Sequence, residues 1–302
     1  MAKRYNTDYH RSSNHSFRVI ADTKGETAVK YVLSFFLSVF LIITLVCTGL
    51  RAVAFNPKSI AQAFTSYSYN RSMLEYIGTF IDDKCLENSI DVDYYDVIGY
   101  DDVKNINSSY AYKQFNLSEG DAFENYSVYV EQVCAEFENQ VLISLERSGE
   151  NAKSKSVQAK VKAISDELNA YICDCVEAGR LSEIARADEI IKLALNIIIC
   201  AFGVLSVIVA VILYYVGRKR YRALRFIAYS AGSAGFAGFA LSVALFFKFK
   251  SFKPAVYPEY LLCALESHLD YSIAGFFLVS ITAILVYIVL ISAVWKLKRK
   301  GK

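Results

Sequence analysis

The stretch that decides the fold is Leu193–Val216, LALNIIICAFGVLSVIVAVILYYV, which contains no Asp, Glu, Lys, Arg or His. A hydrocarbon core of about 30 Å is crossed by about 20 helical residues at a rise of about 1.5 Å each. In lipid the backbone has to satisfy its own hydrogen bonds, so a run of this kind predicts a transmembrane helix. Three further runs read the same way: Tyr31–Leu50, Phe226–Phe247 and Tyr271–Trp295. The fold class expected is an all-α polytopic membrane protein with four transmembrane helices and a mainly helical domain between the first and second.

Charge sorts the segments between them. The net charge of +3 hides a division: residues 51–189 hold 24 acidic and 13 basic side chains, and the rest of the chain holds 6 and 20. Basic residues collect before the first run (Lys3, Arg4, Arg11, Arg18, Lys24, Lys30), in Gly217–Arg225 (GRKRYRALR) and after Trp295 (KLKRKGK). Positive segments favour the cytoplasmic side, so the expected location is the cell membrane with both termini cytoplasmic. Lys248, Lys250 and Lys253 fall on the other side and are outvoted.

The layout expected is a tail at 1–28, helices at 29–50, 190–216, 226–247 and 271–295, an extracytoplasmic domain at 51–189, a basic loop at 217–225, a short extracytoplasmic loop at 248–270 and a basic tail at 296–302. Ala52-Val53-Ala54 resembles a signal-peptide cleavage site, but the preceding run exceeds the usual apolar region of about 7–15 residues. Lipoprotein processing at Cys47 is disfavoured by the bulk of Leu45 and Val46.

Within 51–189, Asn56-Pro57 is a helix start. Ile60, Phe64, Tyr67, Leu74, Ile77, Ile81 and Cys85 follow on one face at helical spacing. Ser118 with Asp121 suggests a second start, leading to Phe123, Tyr126, Val130, Val133, Phe137 and Val141. A third stripe runs Val157, Val161, Ile164, Leu168, Ile172, Cys175, with a break near Gly179 before the second span. Between the first two, Ile90, Val92 and Tyr94 alternate with Asp91 and Asp93 as a short strand would, and a small β-hairpin with Tyr110–Phe115 is the expectation. Pro258 starts a turn or short helix with Leu261, Leu262, Leu265 and Leu269 on its apolar side, lying on the membrane or docking under the domain.

Residues able to carry chemistry are few. Cys85, Cys134, Cys173, Cys175 and Cys263 are the disulfide candidates, with Cys85–Cys134 favoured and a link from Cys173 or Cys175 to Cys263 tying the two loops together. Free buried thiols are the other reading. The histidines are His10, His15 and His268, too few and too scattered for a His-based triad or zinc site. Asp82, Asp83, Asp91, Asp93, Asp96, Asp101 and Asp102 cluster, but their spacing fails a calcium loop and they read as a solvated surface. No phosphate loop is present, and no catalytic, cofactor or metal site is expected. Ala231, Gly232, Ala234, Gly235 and Gly238 place small residues at three- and four-residue spacing, which suits close helix packing. Sequons occur at Asn70, Asn107, Asn116 and Asn125.

The spans lack the ionisable groups that ion-coupled transporters place inside the membrane. The function expected is that of a non-enzymatic membrane protein whose extracytoplasmic helical domain binds a protein or ligand. Its partners would be the lipid bilayer and either another protein or a second copy, with no role for nucleic acid. The order of one span, a large domain and three spans resembles, in topology alone, the cell-division ABC-transporter permease family. That resemblance implies the alternative of a permease-like subunit in a transport or mechanotransmission complex, working with a separate ATPase.

Overall fold

The computed structural model of the protein describes residues 24–149, 151–216, 220–251 and 254–300. Those residues form α-helices, short 3-10 segments and a π turn, with no strand. The helices are α1 (Lys24–Gly49), α2 (Pro57–Phe64), α3 (Tyr67–Glu87), α4 (Tyr100–Gln114), α5 (Tyr126–Arg147), α6 (Lys155–Glu177), α7 (Leu181–Val216), α8 (Arg220–Ser251) and α9 (Glu259–Lys300). Four of them, α1, α7, α8 and α9, are long and apolar enough to cross a membrane. The other five build a head domain. Lys3, Arg4, Arg11, Arg18, His10 and His15 lie outside the described residues, while Lys24 and Lys30 belong to α1.

Local chemistry sets the head's boundaries. α1 passes into a π turn at Leu50–Ala54. Asn56 Oδ1 then accepts from the Lys58 N–H at 3.1 Å and starts α2, with Pro57 in the first turn. The stripe from Ile60 to Cys85 is two helices, not one. Thr65 donates its hydroxyl to the Ala61 carbonyl at 3.2 Å, and Ser66 accepts from the Tyr69 N–H at 3.4 Å. Adjacent hydroxyls that bond to nearby backbone offer an alternative to continuing a helix.

The hairpin is absent. Ile90 to Tyr94 makes one extended pass over the core and is turned by a 3-10 segment at Tyr94–Asp96, where Asp93 accepts from the Tyr95 N–H at 2.9 Å. Its expected partner strand, Tyr110–Phe115, belongs to α4 and its C-cap. That helix starts when the Gly99 N–H donates to Asp102 at 2.8 Å. Period-two alternation therefore records one face of an unpaired extended segment against the core.

The start expected at Ser118 is a 3-10 segment, Ser118–Ala122, and α5 begins at Tyr126 with Asn125 as its cap. Gly120 explains the delay: a Cβ there would lie 3.2 Å from the backbone of Tyr112, so this segment is pressed against α4 before the next helix can begin.

The head's core joins α2 to α6 with the first residues of α7 and α9. Tyr260, at the start of α9, is 1 % exposed and donates its hydroxyl to the Cys175 carbonyl at 3.0 Å. Its ring meets Tyr76 at 5.3 Å and Tyr69 at 5.7 Å. Full burial of a large apolar side chain contributes about 1.5–3 kcal/mol. The segment after Pro258 is thus neither separate nor surface-lying: it is the first turns of α9 and docks into the head. Asn70 and Asn107 are buried as well, with Asn107 Nδ2 donating to Asn70 Oδ1 at 2.8 Å. Their sequons are closed in the folded head, while Asn116 and Asn125 are exposed.

Among the long helices, α8 lies along α9 and α1 contacts both α7 and α8. A Cβ on Gly235 would sit 3.0 Å from the Ile284 nitrogen, and one on Gly232 would sit 2.8 Å from the Tyr287 ring. Gly238 faces Ser280 and Leu45 in the same way. Ala234 is buried and Ala231 half-buried on the same helix. Ser34 and Ser230 meet hydroxyl to hydroxyl at 2.9 Å across α1 and α8.

Candidate functional site

The head meets the long helices around a cavity of about 530 Å³. Four elements and one joint wall it. The π turn gives Ala54, α2 gives Ile60 and Phe64, the α6–α7 joint gives Gly179 and Arg180, and α7 and α9 give Asp188, Ile191, Leu265 and His268. Ala54, Asp188 and His268 lie three to five residues beyond the ends of the apolar runs at Leu50, Leu193 and Tyr271. At about 1.5 Å per residue the cavity sits within roughly 8 Å of those ends.

The joint is where sequence reading placed a break. Arg180 adopts φ 47°, in the left-handed region, and divides α6 from α7. Gly179 beside it has no room for a side chain, since a Cβ would fall 2.7 Å from Phe64 Cε1. The glycine brings the joint against the cavity wall. The walls are mainly apolar, with one buried charge among them. Asp188 is 3 % exposed and pairs with Lys192 one turn on. Its Oδ1 has no hydrogen-bond partner among the described residues. His268 Nδ1 is buried without a hydrogen-bond partner among the described residues, and burial lowers the pKa of the ring.

The structure has no disulfide: all seven cysteines are free. The apolar stripes do converge on one core, as Cys85, Cys134 and Cys175 show, but convergence is not pairing. Cys134 faces Ser165 on α6 and Cys263 faces Ser72 on α3. Cys173 Sγ donates to Asn169 Oδ1 at 3.5 Å. Burial pushes the Cys85 and Cys134 thiols up to about 11. A neutral buried thiol packs as a small apolar group.

The acidic residues between α3 and α4 act locally. Asp93 caps the 3-10 segment that follows it, Asp102 in the first turn of α4 accepts from the Gly99 N–H, and Asp82 is raised from the usual carboxylate range, chiefly by burial. Among the described residues no three His, Cys, Asp or Glu side chains gather as a metal site.

Sequence reading missed the junction cavity and Asp188–Lys192. A faint signal existed: an acid and a base four apart in the last turn before an apolar run, at the place where a span has to leave water. Comparison with protein-family models, with curated proteins and with solved structures finds no match to this chain.

Proposed function

We propose that this is a non-enzymatic membrane protein whose extracytoplasmic head binds a protein or ligand at the junction cavity and conveys its occupancy to the membrane helices. One observation carries the reading. The cavity is walled by α7 and α9, and each of these helices is rooted in the head core at one end and forms a candidate span at the other. An occupant that pushed the two apart would shift two spans together without any flexible linker to absorb the motion. Mainly apolar walls with one buried carboxylate, Asp188, suit binding of an apolar or amphipathic group. The basic residues around Gly217–Arg225 and after Trp295 support cytoplasmic termini.

A photo-crosslinking residue at Phe64 or Leu265 in native membranes tests the site, with Leu86 on the outer face of α3 as the control position. A discrete adduct from the cavity positions and none from Leu86 supports the reading. Equal labelling at all three removes it. Reporter fusions after Gly149 should be active only with an external reporter, and after Arg220 only with an internal one. The same rooted helices suit the second reading, a permease-like subunit moved by a separate ATPase, and copurification of an ATPase would favour it.

A further inference from the structure

The end of the long helices opposite the head carries two adjoining cavities, of about 660 and 460 Å³. The larger lies between α1, α8 and the end of α9, and the smaller between α8 and α9. Arg225, Tyr229 and Lys298 belong to both. Arg222 adds a third cation to the larger cavity and Arg299 one to the smaller. Among the described residues no Asp or Glu lines either cavity.

The cations are also placed by their surroundings. Arg225 Nε donates to the Tyr229 hydroxyl at 2.9 Å, and its guanidinium lies 5.2 Å from that ring's centre. The side chain is thereby held at the last residue before the apolar run of α8. On the smaller cavity's other wall stand Ile291, Val294 and Trp295, which lie within the final apolar run. Cationic groups beside the apolar side chains of the final run match a molecule with an anionic head and an apolar body. A planar guanidinium and a nearby ammonium are the groups that recognise phosphate.

We propose that these cavities bind the phosphate ester headgroup of an anionic lipid, with its acyl chain against Ile291, Val294 and Trp295. This site rests on the reading that the four long helices cross a membrane. Basic pockets between membrane helices are suited to such headgroups, and each Lys or Arg near an anionic surface contributes about fivefold in binding. The other source of the same chemistry is a soluble phosphate compound.

Full-length protein in mild detergent, incubated with equal amounts of phosphatidylglycerol and phosphatidylcholine, gives the bound ratio by native mass spectrometry. The wild type should favour phosphatidylglycerol. Arg225→Gln and Lys298→Gln should each lower the preference about fivefold, and Arg225→Lys should keep most of it. Lys296→Gln removes the same charge from the same end without lining either cavity, and should leave the ratio unchanged. An equal loss in Lys296→Gln shows diffuse attraction and overturns the site, as does a wild type with no preference. Inorganic phosphate in large excess should not displace the lipid, and full displacement with phosphate retained overturns the lipid source. Unchanged circular dichroism in the variants separates lost contacts from lost folding. Carbonate extraction of the chain from membranes would instead break the membrane reading beneath it.

Discussion

The head buries one large apolar core, whereas the long-helix bundle holds a small apolar cluster of Leu37, Val209 and Leu213 and buries small residues between its helices. In the head, Ile77, Met73, Ile106, Phe137 and Ile172 are fully inside. In the bundle, Val207, Leu278 and Val289 point outward, more than 60 % exposed, while Ser230, Ser242, Ser280, Ala228 and Ala234 are inside. Water drives apolar side chains inward in the head. Four helices long and apolar enough to cross hydrocarbon would have no such drive between them there, and their contacts come from backbones that approach closely and from hydroxyls that find partners. The same chain thus packs in two ways, and α9 takes part in both, through Tyr260 in the head and through its later turns in the bundle.

Tyr260→Ala is the change expected to break this arrangement most severely. It removes a buried aromatic anchor, and equilibrium unfolding followed by near-ultraviolet circular dichroism should show a loss of about 3–5 kcal/mol in the head. Tyr260→Phe, which loses only the bond to the Cys175 carbonyl, should cost about 1 kcal/mol.

A polar contact in each region sharpens the comparison. Asn107→Ala leaves Asn70 Oδ1 without its buried donor and should cost about 1–3 kcal/mol. Ser230→Ala removes a hydroxyl pair between α1 and α8, and should cost only about 0.6 kcal/mol in thermal unfolding of the reconstituted protein. A larger loss for Ser230→Ala than for Asn107→Ala would reverse the argument.

Glycine offers the same contrast inside the bundle. Gly235→Leu forces α8 from α9 and should cost about 1–3 kcal/mol through overpacking. Gly203→Leu on α7, where nothing lies within 4 Å of an added Cβ, should stay within about 0.5 kcal/mol of the wild type. Equal effects would mean that the contacts of α8 with α9 contribute little.

A further effect is expected with pH. The Cys85 and Cys134 thiols are raised in the fold, so their neutral form stabilises the head below the unfolded value near 8.5. That contribution is lost as pH rises from about 9 through about 11. Head stability should fall over that window, and the fall should be shallower when both are replaced by alanine.

Much of this was legible from residues. The four apolar runs, the Asn56 cap and the break near Gly179 each depend on one local rule, and each lies where that rule puts it. The hairpin, the Ser118 start and the disulfides did not survive. Alternation at Ile90–Tyr94 records one buried face and says nothing about a neighbouring strand. Ser118 has the letters of a cap but lies pressed against α4. Cysteine stripes that meet a common core leave the distance between sulfurs undefined. The junction cavity was beyond reach because its walls come from α2, α7 and α9, which only tertiary packing brings together.

Because α9 supplies Tyr260 and Ala264, the head cannot be finished in the order in which it is synthesised. Residues 57–181 emerge first, yet the piece that closes them is made only after α7 and α8. A chain stopped at residue 251 would lack the ring that packs on Tyr69 and Tyr76 in the finished head.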